Sequence, residues 1–153
     1  MMWRSLAGKF VIAIIALYCA LSMSGCSTEK LQMQTEEAIV QFHERFNAED
    51  YRAIYQDAHQ ALKDAQTLEE TVAVLRESKE KYGAFQAIKD KRISVLRGDP
   101  LQVRIAYLSQ FEKGEVTEIF SYAEDDDGVM RLSYYNVIQG PVDIHADNPE
   151  RDQ

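Results

Sequence analysis

Three consecutive runs of alternating apolar and polar residues constrain the fold of this chain more than any other feature. They cover Leu101–Phe111, Val116–Ala123 and Val129–Val137. A period of two residues places alternate side chains on opposite faces, which is typical of a β-strand with one buried face. Lys113-Gly114 and Asp127-Gly128 separate the runs with short turns. The sequence therefore predicts a three-stranded antiparallel meander.

Helical patterns precede the meander. Ile39, Phe42 and Phe46 recur on one face of residues 35–47, and similar stripes follow over residues 51–63 and 68–82. The sequence predicts three helices there, and a further strand over residues 84–97 that joins the meander. A helical half followed by a sheet half predicts an α+β domain over residues 35–138, with the helices packed on the sheet.

Local signals mark the ends of these helices. Asp50 is predicted to cap the second helix, and Thr67-Leu68-Glu69-Glu70 has the form of a capping box that begins the third. Gly83 occupies the position where a left-handed residue commonly ends a helix.

The first 25 residues have the composition of an export signal. Arg4 and Lys9 precede an almost wholly apolar run over residues 10–21, and small residues follow. A membrane-spanning helix needs ~20 apolar residues, so the run is short for a span. After removal of this segment, Cys26 would be the one remaining cysteine, without a disulfide partner in the same chain.

The residues around Cys26 resemble a known processing motif. Leu21-Ser22-Met23-Ser24-Gly25-Cys26 resembles the lipobox of bacterial lipoproteins, although Met23 stands where that family usually has Leu. The resemblance implies that residues 1–25 are a signal peptide, that Cys26 carries a lipid and that residues 26–34 are a tether. An unlipidated signal with an incidental cysteine is the alternative. In the Gram-negative lipoproteins that this segment resembles, a residue other than Asp after the cysteine usually permits transfer to the outer membrane. Ser27 therefore implies an outer-membrane location with the domain facing the periplasm.

A second resemblance concerns the domain itself. The chain resembles the nuclear-transport-factor-2-like, cystatin-like cone folds, and more closely small bacterial lipoproteins of unknown function with that fold. The residues that carry the resemblance are Phe46 with Asp50-Tyr51, Gly83, Tyr107 to Phe111, Gly114, Glu118, Arg131-Leu132 and Tyr134-Tyr135. The resemblance covers residues 31–138. It implies a curved sheet wrapped around the first helix, with a mouth that can hold a ligand, a catalytic pair or nothing, and an open sheet face that can pair two copies as a homodimer.

The charge balance limits the partners. The net charge is −8, and residues 1–25 contain two basic residues and no acid, so the remainder carries −10. Nucleic-acid binding requires clustered Lys and Arg, so we expect no nucleic-acid partner. For the same reason the domain surface is not expected to adsorb to anionic lipid.

Candidate catalytic and metal-binding groups do not converge in the sequence. The candidate acid–base groups are His43, Asp57, His59, Tyr51, Tyr55 and Tyr107. His43 follows the apolar stripe by one step and is predicted to lie at a rim or in solvent, and His59 is predicted to face solvent. Residues 124–128 (EDDDG) lack the acid spacing of a calcium loop, and His43, His59 and His145 lack metal-ligand spacing. The sequence therefore predicts no catalytic set, no metal and no cofactor.

Two functional hypotheses remain from the sequence. In the first, the protein is a non-enzymatic, lipid-anchored envelope protein that binds a partner protein or small ligand through the open face of the domain. Phe42, Phe46, Tyr55, Tyr107 and Tyr134 are the predicted pocket or interface residues, because aromatic side chains suit such surfaces. In the second, it is a small hydrolase or isomerase with an acid–base pair in the cone. Residues 139–153, with Gly140-Pro141 and Pro149, are predicted to form a flexible tail.

Overall fold

A computed structural model of the protein describes residues 25–144, with side chains from residue 28 onward. The predicted signal peptide and His145 lie outside the described residues. By its internal contacts the chain divides into two compact units, residues 1–33 and residues 34–153. In chain order the elements are α1 (Gly25–Asn47), α2 (Tyr51–Gln56), α3 (Gln60–Ala65), α4 (Leu68–Tyr82), β1 (Phe85–Leu96), β2 (Gln102–Phe111), β3 (Gly114–Glu124) and β4 (Met130–Gln139).

The four strands form one antiparallel sheet in the order β1-β2-β3-β4. Ile105 pairs with Phe120, and Phe120 pairs with Tyr135, so the register carries one row of large side chains across three strands. The α+β class and the antiparallel meander predicted from the sequence are confirmed. Residues 26–34, predicted as a tether, lie within α1.

The inner face of the sheet packs against α1. The Phe42 ring lies 5.1 Å from the Phe120 ring and 4.8 Å from the Tyr135 ring, measured between centroids. The Phe46 ring meets the Phe111 ring edge-on at 5.9 Å. These buried contacts explain the apolar stripe of α1, because burial of each large side chain stabilises the fold by ~1.5–3 kcal/mol.

The predicted caps at Asp50 and Thr67 and the predicted end of α4 at Gly83 are confirmed. The Ala53 backbone N–H donates to the Asp50 side chain over 3.3 Å, and Thr67 and Glu70 form the reciprocal bonds of a capping box. Gly83 ends α4 with φ of 81°. A Cβ atom at Gly83 would lie 2.6 Å from Glu112 Oε2, so this position excludes larger residues by contact as well as by conformation.

The prediction of one helix over residues 51–63 is wrong. The segment forms α2 and α3, separated by an extended residue, His59 (φ −63°, ψ 152°). The His59 backbone N–H donates to the Leu132 carbonyl on β4 over 2.9 Å, and His59 Nδ1 accepts from the Ala61 N–H over 3.1 Å. Because the His59 N–H bonds to the edge strand β4, it does not form the i to i−4 hydrogen bond of a continuous helix, and the helix is interrupted there. This is a tertiary contact, which helix propensities do not predict.

The chain after β4 crosses the outer face of the sheet, opposite the helices. Thr117 Oγ1 donates to the Gly140 carbonyl over 3.1 Å and accepts from the Val142 N–H over 3.0 Å. Arg92 Nη1 donates to the Ile144 carbonyl over 3.1 Å. This segment covers Thr117, which is buried. None of the helices described over residues 25–144 is long and apolar enough to cross a membrane.

Candidate functional site

The inner face of the sheet holds a buried carboxylate, Glu118, which is 0% exposed. His43 Nε2 on α1 donates to it, lying 3.0 Å from Oε2 and 3.2 Å from Oε1. Ser109 Oγ donates to Oε2 over 2.6 Å, and the Tyr135 hydroxyl donates to Oε1 over 3.0 Å. Since the carboxylate offers only acceptors, Nε2 of His43 carries a proton. The four side chains, here called the Glu118 network, form a satisfied buried cluster.

Strand geometry explains how the Glu118 network forms. Glu118 lies between Val116 and Phe120 in the two-residue repeat of β3, so its side chain points toward α1. Ser109 occupies the same face of β2, between Tyr107 and Phe111. The strand pattern therefore places Glu118 and Ser109 on the inner face of the sheet, and His43 reaches Glu118 from α1, which packs on that face.

His43 corrects a prediction made from the sequence. It was expected at a rim or in solvent, but it is 4% exposed. Its ring stacks on the Phe85 ring at 3.6 Å between centroids, with 5° between the planes. The one-step offset from the apolar stripe is the reason for the error, because Phe85 and Glu118 of the sheet also cover the side of α1 next to the stripe. Burial of a polar ring is tolerated here because Glu118 accepts a hydrogen bond from its Nε2–H.

Burial and the nearby carboxylate also affect the tyrosines of this region. Burial, followed by the charge and hydrogen bond of Glu118, raises the pKa of the Tyr135 hydroxyl well above its ordinary value. Burial, with the charges of Glu36 and Glu118, raises the pKa of Tyr107 to about 12. Both phenols therefore stay neutral and can donate hydrogen bonds across the physiological range.

An open cavity of about 420 Å³ lies between α1, α2 and the β3–β4 hairpin and is here called the hairpin cavity. Its floor is apolar and aromatic, formed by Phe42, Ile54, Tyr122, Met130 and Leu132. Small-molecule sites commonly measure ~300–1,000 Å³ and combine an apolar floor with a few polar groups. The size and lining of the hairpin cavity match that description.

The rim of the hairpin cavity carries charges of both signs. Arg45 Nη1 lies 2.6 Å from Asp57 Oδ2, and this pair bridges α1 and the end of α2. Arg131 lies 2.9 Å from Asp125 and 2.6 Å from Asp127. The hydrogen bond to Asp127 raises the pKa of the Arg131 guanidinium, and the Val129 backbone N–H lowers the pKa of Asp127. Both guanidinium groups are thus neutralised by acids of the same chain.

Tyr122 is the unusual residue of the floor. It is 2% exposed, and its hydroxyl has no hydrogen-bond partner among the described residues. Burial raises the pKa of Tyr122 far above its ordinary value, so the hydroxyl remains protonated. An unpaired buried hydroxyl costs ~1–3 kcal/mol. The fold tolerates this cost at a residue that lines the cavity.

The five predicted pocket residues do not share one site. Phe42 lines the hairpin cavity, whereas Phe46 is fully buried in the core. Tyr107 is buried and lines a second open cavity, of about 440 Å³, between α1 and β1, together with Ile39 and Ile88. Tyr134 is 49% exposed and lines a small apolar cavity of about 40 Å³. The Tyr55 hydroxyl donates to the Gln66 carbonyl over 3.2 Å, which ties α2 to the end of α3.

The remaining candidate acid–base groups do not come together in one site. Asp57 pairs with Arg45 at the cavity rim, whereas His43 belongs to the Glu118 network. His59 is half-buried and caps α3. Tyr51 is buried, and burial raises its pKa. None of the three cavities described above is lined by His43, Glu118 or Ser109.

The acidic run over residues 124–128 makes the β3–β4 turn. The Gly128 N–H donates to the Asp125 carbonyl over 2.8 Å, and Arg131 neutralises two of the carboxylates. Over residues 25–144, no three His, Cys, Asp or Glu side chains are placed to hold a metal ion together.

Sequence reasoning missed Glu118 and Tyr122 as site residues. A signal for Glu118 was present, since it is an acid at an apolar position of an alternating strand. Such a residue must find partners inside the core. No comparable signal marked Tyr122, Arg45 or Arg131, because their convergence depends on how the hairpin packs beside α1.

The chain has no detectable match among protein-family models or curated protein sequences.

Proposed function

We propose that the protein is a lipid-anchored protein of the bacterial cell envelope that binds a small amphipathic ligand in the hairpin cavity. The observation that carries the binding proposal is the cavity itself, about 420 Å³ with an apolar floor and a charged rim.

The anchor is supported by the sequence. A basic start, an apolar run and the lipobox-like Leu21–Cys26 precede the domain. In this proposal Cys26 carries the lipid, Ser27 permits transfer to the outer membrane, and the domain faces the periplasm. Lipidation also accounts for a lone cysteine in an oxidising compartment.

The finer fold assignment belongs to the same proposal. In a cystatin-like cone, the sheet curls around the first helix, and the packing of α1 on the inner face of the sheet is consistent with it. Pairing of two copies through the outer face would have to accommodate the chain over residues 140–144, which already covers Thr117. The geometry therefore favours ligand binding over homodimerisation as the main use of the domain.

Acid–base catalysis is the alternative and receives less support. The Glu118 carboxylate already accepts from three side chains, and the cavities described above do not reach it. Asp57 lines the hairpin cavity but is 59% exposed in its side chain and paired with Arg45. An exposed carboxylate that is already held in an ion pair is a poor candidate for a general base.

The test is native mass spectrometry of the full protein extracted from its own envelope in mild detergent. We expect an N-terminal mass that shows cleavage and acylation at Cys26, and a small-molecule adduct on the folded chain. Gln41→Trp, at the exposed rim of the cavity, should remove the adduct by filling the mouth. Glu44→Trp, which is exposed on the same helix but lines none of the described cavities, is the matched control and should retain it.

Several outcomes would contradict the proposal. If Cys26→Ala leaves the protein in the membrane fraction, the lipid anchor is wrong. If an adduct persists in Gln41→Trp, the ligand lies elsewhere. Co-purification of a second protein instead of a small molecule would favour the partner-binding form of the hypothesis.

A further inference from the structure

The sheet edge formed by β1 is closed at its beginning. Asn47 Nδ2 donates to the Phe85 carbonyl and Asn47 Oδ1 accepts from the Phe85 N–H, each over 2.9 Å. Register shifts in the pairing with β2 follow between Phe85 and Ala87 and between Ile88 and Asp90. Covered backbone groups and bulges keep an edge strand from pairing with another chain. The first half of β1 is therefore protected against a further strand.

The register shows which backbone groups of the second half of β1 point outward. Phe111 and Gly114 pair directly across the two-residue turn between β2 and β3, so Phe111 bonds to β3. Every second residue of β2 before it, including Ile105, does the same. Ile93 lies opposite Ile105 and therefore directs its N–H and C=O away from β2. Val95, two residues further along β1, has the same direction.

These outward groups are open. The Lys91 N–H donates to Asp90 Oδ1 over 2.8 Å, which agrees with its outward direction. The N–H and C=O groups of Ile93 and Val95 form no hydrogen bond within residues 25–144. The pairing with β2 is regular from Lys91 to Leu96, and Leu96 is 44% exposed. A regular, uncovered edge with apolar side chains is a template for strand addition.

The opposite edge of the sheet, β4, is closed at shorter intervals. The His59 N–H donates to the Leu132 carbonyl over 2.9 Å, and Asn136 Oδ1 accepts from the Val137 N–H over 2.9 Å. Of the two edges in the described part of the chain, β1 therefore offers the longer uninterrupted run of open backbone groups.

A second copy of the same segment fits this edge. In an antiparallel pair centred on Ile93, the two Ile93 residues exchange both backbone hydrogen bonds. The Val95 N–H of each copy then meets the Lys91 carbonyl of the other. Arg92 faces Ser94 of the second copy on the outer face, and Lys91 faces Val95 on the inner face, so no facing pair over residues 91–95 carries like charges.

The two neighbouring registers are less favourable. A shift in one direction places Arg92 opposite Arg92 of the second copy, and a shift in the other places Lys91 opposite Arg97. Like charges directly opposite each other destabilise a strand pair. Charge complementarity therefore selects the register centred on Ile93.

We infer that two copies of this chain pair through Ile93–Val95 of β1 and join their sheets across a two-fold axis. Such an isologous contact uses the same surface on both copies. It goes beyond the proposed ligand binding and uses the sheet edge, not the outer face that residues 140–144 cross. Because the contact is confined to one short pair of strands, we expect a dimer weaker than those with stable interfaces of ~1,200–2,000 Å².

Cysteine cross-linking of the full-length protein, in cells that express it and with a mild oxidant, tests the pairing. Opposite Cα atoms in a hydrogen-bonded antiparallel pair lie ~5.5 Å apart, within the ~4.4–6.8 Å that a disulfide spans. Ile93→Cys should therefore give a cross-linked dimer. Val95→Cys should not, because its two copies would lie at least ~13 Å apart along the strands. Glu44→Cys, exposed on α1, measures random collision, and the unsubstituted chain measures the contribution of Cys26.

Sedimentation of the full protein in mild detergent provides the second measurement. Ile93→Lys places like charges face to face and should lower the dimer fraction several-fold, with partial recovery in high salt. Ile88→Lys adds the same charge in the protected half of β1 and should leave the dimer fraction unchanged. Circular dichroism of both variants confirms that the domain is folded.

The outcomes decide both the contact and its occupant. Cross-linking of Ile93→Cys no stronger than that of Glu44→Cys would overturn the inference. Stronger cross-linking of Arg92→Cys or Ser94→Cys than of Ile93→Cys would overturn the register. A cross-link from Ile93→Cys to a different protein would assign the edge to an extended segment of another chain and overturn the second copy as its occupant.

Discussion

Removal of the Glu118 carboxylate should destabilise the protein more than removal of any surface carboxylate. In Glu118→Ala, the protonated Nε2 of His43 and the hydroxyls of Ser109 and Tyr135 lose their common acceptor inside the core. Each unsatisfied buried donor costs ~1–3 kcal/mol. Because these donors share one partner, we expect a total loss of ~3–5 kcal/mol, not a simple sum.

Urea denaturation followed by far-UV circular dichroism measures this loss. With a slope of ~2 kcal/mol per molar urea, a loss of ~4 kcal/mol lowers the midpoint by ~2 M. Glu118→Gln keeps the volume and one acceptor oxygen, so we expect it to lose only ~1–3 kcal/mol. Glu36→Ala is the control, because Glu36 pairs with Lys91 at 2.6 Å with both side chains at least 40% exposed. A surface pair of this kind contributes less than ~1 kcal/mol.

Equal urea midpoints and equal slopes for Glu118→Ala and Glu36→Ala would refute this role of the Glu118 carboxylate. That result would mean that water or a rearranged side chain replaces the carboxylate without cost. A double-mutant cycle with His43→Phe, which keeps a ring against Phe85, then measures the His43–Glu118 coupling directly. We expect a coupling of at least ~1 kcal/mol, since a buried charge-assisted bond exceeds a neutral one.

Three further predictions concern the fold. Gly83→Ala should lose more stability than Gly140→Ala in thermal unfolding, because both residues have φ of 81° but only Gly83 faces a close contact; equal losses would show that conformation alone matters. Thr67→Ala should lose ~1 kcal/mol in urea unfolding by removing the cap of α4, and an unchanged midpoint would contradict this. Stability should fall above pH 10, because unfolded tyrosines ionise there while Tyr107, with a pKa of about 12, and Tyr122 stay neutral when folded. Phenolate absorbance at 295 nm should therefore rise together with unfolding, and complete ionisation of a folded chain would contradict it.

The sequence by itself determined the class of the fold and much of its local structure. The alternating runs after residue 101 had to form strands with one face buried, and the turns at Lys113-Gly114 and Asp127-Gly128 were short enough only for hairpins. Thr67 with Glu70 and the glycine at position 83 marked the ends of α4 correctly. These features depend on neighbours a few residues apart, so they can be recognised without knowledge of the tertiary structure.

The tertiary structure alone decided which side chains meet. His43 and Glu118 are 75 positions apart, and their contact exists only because α1 lies on the inner face of β3. The break at His59 depends on a bond to Leu132, and the hairpin cavity depends on the packing of β3 and β4 beside α1. A periodic pattern reports that a face is buried but carries no information about the groups that cover it. For that reason the buried network and the unpaired Tyr122 hydroxyl became visible only in the folded chain.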